Sequence, residues 1–374
     1  MIFHSIFNKP ILIVGNGVRA ADAHSLLLQF MEKTDIPVLT SMNAVDLVQN
    51  EHKLGFIGTH GNRIANMIVQ EADLVIAVGV RLGLRQVGKQ VENFAPKAKL
   101  IRADIDEYEL ARSVKENEEK YLIDAKDFFL RLLDEEIPKY TCWKQKCFEA
   151  KALLDPFDKE AGNLAIEKIV SYLPDNPIIS VDVGQHQCWS AQSLKLKGNE
   201  GRIFIGGGYG CMGCGLPWAI GASISQRSNK LNDVVYCIVG DGGLQMNIQE
   251  FETIVREKLP IKIFVMNNRV LGKIWETQHF SHGDRFAETA ESGGYTVPAF
   301  EKIAQAYGIK AIKLDSYEEL EKYHTWIQDN EPCLFNIMLS GESLLVPKID
   351  FNTGIMKPVL DSELICEVRS LLQA

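Results

Sequence analysis

The chain has 374 residues, room for about two domains of ordinary size. Its 46% hydrophobic and 24% charged residues exclude a largely disordered chain, a collagen-like repeat and a disulfide-stapled miniprotein. A net charge of −9, with no block of basic residues, argues against nucleic acid as a partner.

No apolar run approaches the ~18–20 residues of a membrane span, so no membrane partner is expected. The opening MIFHSIFNKPILIV has no basic leader ahead of a small-residue cleavage site, which predicts a chain without a signal peptide. The first α/β unit begins with the apolar run Ile11–Val14, then Gly15-Asn16-Gly17, then an amphipathic stretch from Ala20 to Lys33. Ile36–Thr40, Asp73–Val80 and Lys99–Ala103 read as further strands, and Arg63–Gln70 and Lys126–Glu135 as helices. Short continuous apolar runs alternating with amphipathic helices predict a doubly wound parallel sheet, covered on both faces.

The polar and aromatic stretch between Glu136 and Asp158 lacks strand periodicity and is expected to be a linker that partly packs on the domains. A second unit follows, with strands expected at Pro177–Val181, Val234–Val239, Ile261–Met266, Lys310–Lys313 and Cys333–Met338. Helices are expected at Asn163–Leu173, Leu216–Ser225, Leu244–Glu257, Phe300–Tyr307 and Tyr317–Asp329. From Leu345 onward a tail carries Pro347, Pro358 and a last helix, Ser362–Leu372. The fold class is therefore α/β: two doubly wound domains at residues 1–138 and 161–345, a linker at 139–160 and a tail at 346–374.

Eight cysteines are scattered without a framework spacing, which suits reduced thiols and predicts a cytoplasmic location. Cys211 and Cys214 form a C-x-x-C. No second pair or H-x-H lies near enough to complete a tetrahedral zinc site, so ordinary reduced thiols are the expected reading.

The stretch Val234–Asn268 carries the chemistry. A buried strand ends in Gly240-Asp241-Gly242-Gly243 and a helix follows at once. Glycines there let a ligand approach the backbone, and a helix N-terminus offers free N–H groups to an anion. A second buried strand ends in Asn267-Asn268, 27 residues after Asp241, so neighbouring parallel strands would set Asp241 beside Asn268. A carboxylate, an amide oxygen and a backbone carbonyl suit Mg²⁺ that phosphate oxygens also hold. An Asp-Gly or an Asn-Asn pair alone is a common turn signal. Their combination in one strand–helix–strand unit is what points to a metal and phosphate site.

GDG, 24 residues and then NN resembles the diphosphate-binding motif of thiamin diphosphate enzymes. GDGGLQMNIQEF, GQHQCW at 184–189 and GYGCMGCGLP at 208–217 are similar to segments of the acetolactate synthase (acetohydroxyacid synthase) family. Leu54–Val80 resembles that family's central domain, so the likeness covers most of residues 1–340.

The resemblance implies thiamin diphosphate and Mg²⁺ as cofactors. Asp241 and Asn268 would ligate the metal through side chains, and Val270 through its backbone carbonyl. Gln185, His186, Gly242, Gly243, Leu271 and Gly272 would surround the diphosphate. Met212 would press the bent cofactor into shape, with Gly210 and Met212 offering backbone groups to its pyrimidine. For Met212 ordinary core packing, and for His186 a helix-cap role, are the structural alternatives. The implied reaction decarboxylates pyruvate, a 2-keto acid, and joins the two-carbon unit to a carbonyl acceptor.

Three departures from the family pattern stand out. Members begin with a pyrimidine-binding domain that supplies an activating glutamate, and no residue here maps onto it. The catalytic residue is therefore left unassigned, the chain is expected to be inactive alone, and the expected partner is a homo-oligomer or a chain supplying that domain. FAD is the second departure: GVRFDDRVTG of the family reads Gly79-Val80-Arg81-Leu82-Gly83-Leu84-Arg85-Gln86-Val87-Gly88 here. That leaves Arg19, Arg81, Arg85, Asp104 and Asp106 as candidate FAD contacts, against Gly15-Asn16-Gly17 as a plain turn. Third, RVLGKIWETQHF after Asn268 is closer to acetolactate-synthase-like proteins of surface-polysaccharide pathways, whose acceptor can be a keto-sugar nucleotide. Trp275 and Gln278 would then line an acceptor pocket, or else belong to a packed helix. A related 2-keto acid decarboxylase and a non-catalytic assembly protein remain the alternatives.

Overall fold

The computed structural model describes residues 7–48, 52–198, 200–231, 234–350 and 354–374. The leader reading at residues 1–6 lies outside them. The chain forms two compact units, 1–159 together with 346–374, and 160–345. Among the described residues, no helix is long and apolar enough to cross a membrane.

The first unit is built on strands β1 (Pro10–Val14), β2 (Val38–Thr40), β3 (Leu74–Val78), β4 (Lys99–Asp104) and β5 (Glu119–Leu122), all parallel in the order β2-β1-β3-β4-β5. Every residue of β1, β2 and β3 is buried, as expected of strands covered on both faces. Glycines set how closely two turns approach at the carboxyl ends of β1 and β3. A Cβ on Gly15 would lie 2.1 Å from the Gly79 carbonyl oxygen, and the Gly17 N–H donates to that oxygen at 3.0 Å. Strand-end packing therefore requires glycine at positions 15 and 17.

Two expectations for this unit are corrected. The supposed linker folds as helix Thr141–Leu154, which buries Trp143, Cys147, Ala150 and Leu154 in the first unit's core. The tail returns to the same unit, where helix Ser362–Gln373 adds Val368 and Leu372 to that core. Strand periodicity was the wrong test for the 139–160 stretch, because its apolar residues recur at helical spacing.

The second unit carries β6 (Ile178–Val181), β7 (Arg202–Ile205), β8 (Val235–Gly240), β9 (Ile261–Asn267), β10 (Lys310–Leu314) and β11 (Cys333–Met338). They form a parallel sheet in the order β10-β11-β9-β8-β6-β7. Strand β9, IKIFVMN, is buried throughout and yet contains a lysine. The Lys262 ammonium resolves the conflict by donating to the carbonyls of Trp326 at 2.7 Å and Glu331 at 2.6 Å, and by pairing with Asp329. The helix expected over Leu244–Glu257 breaks into Asp241–Gln245, a 3₁₀ turn and Phe251–Glu257. Chain order reverses between β6 and β8, since β7 lies on one side of β6 and β8 on the other. Open α/β sheets place ligands in the crevice at such a reversal.

Candidate active site

Three adjacent strands, β6, β8 and β9, end at one crevice in the second unit. Asp182 follows β6, Asp241 follows β8 and Asn268 follows β9, with Gly240 registered opposite Met266. A cavity of about 270 Å³ opens there. Its lining includes Gln185, His186, Gly210, Met212, Asp241, Gly242, Gly243, Asn268, Val270, Leu271 and Gly272. These residues come from four separate stretches of sequence, and the topology brings them to one wall. Residues 210–212 reach it because the turn ahead of helix Gly215–Ser228 is tied to Asp182, whose carboxylate accepts the N–H groups of Gly213 at 3.0 Å and Gly215 at 3.2 Å.

Asp241 is buried and faces no cationic side chain within hydrogen-bond reach among the described residues. Its Oδ1 accepts the Gly242 N–H at 2.6 Å and the Tyr295 hydroxyl at 2.9 Å, and its Oδ2 accepts the Arg269 N–H at 2.7 Å. Burial nevertheless lifts the carboxyl to about 6, because these neutral donors offset only part of the desolvation. A divalent cation would supply the missing charge. Asn268 donates its amide to Gln185 Oε1 at 2.9 Å, while Gln185 donates to the Ser343 carbonyl at 2.8 Å. That chain orients the Asn268 side chain and leaves its oxygen with one long contact, 3.4 Å from the Val270 N–H. A carboxylate and an amide oxygen on neighbouring strand tips, facing one cavity, fit a hard divalent ion.

His186 is buried at the start of helix Gln185–Ser193, between two glycines. A Cβ on Gly184 would stand 2.5 Å from its ring, and one on Gly240 2.8 Å. Burial outweighs the nearby Asp182 carboxylate and drops the imidazole to about 4, so it is neutral at neutral pH. Its Nε2 has no hydrogen-bond partner among the described residues. An orphaned polar atom in a cavity wall fits a site made for a polar ligand. Gly242 and Gly272 form a cradle: Cβ atoms there would lie 2.6 Å from Leu271 and 1.9 Å from Gln185 Oε1. Helix Gly272–Ser281 begins at the same wall, and Lys273 lines it. The helix start and this ammonium suit an anionic group, so the residues present fit a diphosphate with its metal.

Asp182, Lys273 and Tyr295 are site residues that the sequence did not point to. Lys273 had a readable signal, a Gly-Lys pair opening a helix just past the NN strand end. Tyr295 lies in the irregular stretch before helix Phe300–Ala306 and has none. Trp275 and Gln278, by contrast, are not among the residues lining the cavity. Trp275 stacks on His279 and on Phe286, with ring centroids 5.3 Å apart in each case. Gln278 donates to the Ala287 carbonyl at 3.2 Å and accepts the Thr289 hydroxyl.

In the first unit, Arg19, Arg81, Arg85, Asp104 and Asp106 fall at or just beyond the carboxyl ends of the adjacent strands β1, β3 and β4. Several already have work. Arg19 pairs with Asp46 at 2.9 Å and Arg81 with Glu109 at 3.2 Å. Asp104 accepts the Asp106 N–H at 3.1 Å, and Asp106 caps helix Glu107–Ala111 through the N–H groups of Tyr108 and Glu109.

Two family models match the chain: the thiamine pyrophosphate enzyme central domain over residues 7–132, and the C-terminal TPP binding domain over residues 182–337. A probable acetolactate synthase large subunit of Methanocaldococcus jannaschii is 34% identical over 374 aligned residues, covering 94% of this chain and 61% of that protein. The acetolactate synthase isozyme 2 large subunit of Escherichia coli is 32% identical, over 88% of this chain and 60% of its own length. The acetolactate synthase large subunit of Porphyra purpurea is 33% identical over 84% and 54% respectively. The chain thus spans between about half and three fifths of the length of these relatives.

Proposed function

This chain belongs to the thiamine pyrophosphate enzymes, carrying their central and C-terminal domains and homologous to acetolactate synthase large subunits, and from that premise we propose that its cavity binds thiamin diphosphate with Mg²⁺. The observation that supports this most is the meeting of Asp241 and Asn268 at one cavity beside the Gly242–Gly272 cradle. Asp241, Asn268 and the Val270 carbonyl would hold the metal. Gln185, His186, Gly242, Gly243, Leu271 and Gly272 would hold the diphosphate, with Lys273 adding charge, while Gly210 and Met212 would contact the pyrimidine.

When bound, the cofactor supplies decarboxylation of a 2-keto acid such as pyruvate and transfer of the two-carbon unit to a carbonyl acceptor. The chain's own residues bind and orient. Tyr295 and the Arg269 N–H fix the Asp241 carboxylate, Gln185 fixes Asn268, and buried His186 stays neutral in the cavity wall. The proposal includes FAD at the first unit, supported by the shared position of Arg19, Arg81, Arg85, Asp104 and Asp106 at adjacent strand ends. Flavin absorbance in the purified protein tests it.

Titration calorimetry with thiamin diphosphate and Mg²⁺ tests the main reading. Asp241→Ala is expected to weaken binding at least about 100-fold, since loss of partners that merely orient a metal ligand already costs about 10–100-fold. Unchanged affinity would remove the assignment. Product analysis with pyruvate, first alone and then with added carbonyl acceptors, tests the reaction class: the isolated chain is expected to turn over near background, and acetolactate is the expected product from pyruvate once a chain carrying the pyrimidine-binding domain is added.

A further inference from the structure

Cys211 and Cys214 sit at the two ends of a tight turn, Cys211-Met212-Gly213-Cys214, just ahead of helix Gly215–Ser228. Gly213 at its third position has φ +93°, the left-handed conformation a type II turn requires there. Such a turn holds its first and fourth Cα atoms within about 7 Å, which overlaps the ~4.4–6.8 Å that a disulfide spans. The two thiols are hydrogen-bonded to each other. Cys211 is exposed and Cys214 partly buried, whereas Cys147, Cys188, Cys237 and Cys333 are buried. The C-x-x-C spacing alone favoured inert thiols. The turn geometry adds contact between the sulfurs, and access for a reagent to one of them.

The turn is also part of the cavity. Gly210 and Met212 line it, while the middle of the turn is pinned: Asp182 accepts the Gly213 N–H, and the Asn247 amide donates to the Gly213 carbonyl. Drawing two hydrogen-bonded sulfurs to the bond length of about 2.05 Å must move one end of the turn. Cys214 is anchored at the start of a helix and Gly213 at Asp182, so the Cys211 end moves and takes Gly210 and Met212 with it.

We propose that Cys211 and Cys214 are a reversible dithiol–disulfide pair whose closure across this turn reshapes the cavity wall made by Gly210 and Met212. The oxidant is a low-molecular-weight disulfide. The Cys211 thiolate attacks one of its sulfurs and displaces one thiolate, leaving a mixed disulfide on Cys211. The Cys214 thiolate then attacks the Cys211 sulfur and displaces the second. The protein gives up two electrons and two protons, and two reduced small thiols carry them away. Burial holds the Cys214 thiol above its ordinary value, so the second displacement quickens as pH rises.

The test uses the full chain, reduced and then equilibrated with oxidised glutathione, with peptide mass spectrometry after alkylation. A Cys211–Cys214 disulfide that dithiothreitol reverses is expected, whereas Cys214→Ser retains glutathione on Cys211 and Cys211→Ser forms neither product at this turn. Backbone hydrogen exchange over residues 206–214 is expected to slow severalfold in the disulfide form. A glutathione adduct that persists on Cys211 in the parent chain, a bond to another cysteine or a second chain, or unchanged exchange over 206–214 would overturn the proposal. A further arm rests on the cofactor reading: thiamin diphosphate with Mg²⁺ is expected to bind the oxidised chain at least threefold more weakly than the reduced one, and equal affinity counts against reshaping of the wall. Absence of binding to either form defeats the cofactor reading instead, and leaves the mass and exchange results to decide the disulfide.

Discussion

The two units share an architecture and differ at the carboxyl ends of their strands. In the first unit three of the five strand-end charges are held by neighbours, Arg19 by an ion pair with Asp46, Arg81 by Glu109 and Asp106 by the helix it caps, although Arg19 keeps buried guanidinium nitrogens without a hydrogen bond among the described residues. In the second, burial lifts Asp241 to about 6 with only neutral donors around it, and His186 is left with an orphaned nitrogen. Parallel sheets present the same crevice in both cases. What separates a settled edge from a candidate active site is uncompensated polarity, kept in place by the packing around it.

The most severe way to break this contrast is Gly243→Ala. A Cβ there would lie 1.8 Å from Asp182 Oδ2, the carboxylate that ties down the 213–215 turn. Chemical denaturation is expected to show a loss of about 3 kcal/mol, the upper end for overpacking a filled site. A loss under about 0.5 kcal/mol would mean that the second edge is as tolerant as an exposed surface.

The pH dependence of Asp241 is of similar size. Folded, this carboxyl titrates at about 6 against an ordinary 3.8, so the folded state keeps a proton that the unfolded state has already released. Stability from this group is therefore full below about pH 4 and is lost as pH rises through about 6, by ~3 kcal/mol at 1.36 kcal/mol per unit. Asp241→Asn does not titrate. The variant's stability relative to the parent is expected to rise by that amount between pH 4 and pH 7, and a flat difference would show that the carboxylate is not desolvated.

Tyr295→Phe sharpens the contrast by removing one donor from Asp241 while keeping the ring. Mg²⁺-dependent binding is expected to weaken about tenfold, roughly 1.4 kcal/mol, in a calorimetric titration. The smallest effect belongs to the first unit. Arg81 is 82% exposed, so its pair with Glu109 is screened, and Arg81→Ala is expected to change folding stability by less than about 0.5 kcal/mol. A loss beyond 1 kcal/mol would place an unrecognised demand on that edge.

How much of this was readable in advance follows from which forces act locally. Strands β1, β3, β8, β9 and β11 announce themselves as unbroken apolar runs, and the GDG and NN strand ends follow from their placement. The edge strands β5, EKYL, and β7, RIFI, did not, because neither is wholly buried and a short run exposed on one side carries little signal. Asp241 and Asn268 could be paired from spacing within one β-α-β unit. Tyr295 could not, since it reaches the site through tertiary packing alone, and Asp182, although it follows an expected strand, has no nearby partner in sequence to mark it. Helix Thr141–Leu154 carries its own signal in the helical spacing of Trp143, Cys147, Ala150 and Leu154; what no local pattern shows is the core it joins, which includes Val368 and Leu372, more than two hundred residues further along the chain.

That late partner has a bearing on synthesis. Residues 160–345 are continuous and can complete their sheet as soon as they emerge, while the unit begun first keeps an open flank until its closing helix, Ser362–Gln373, has been translated. A chain cut after residue 345 is expected to keep the second unit whole and to leave the first without the two core side chains, Val368 and Leu372, that its closing helix contributes.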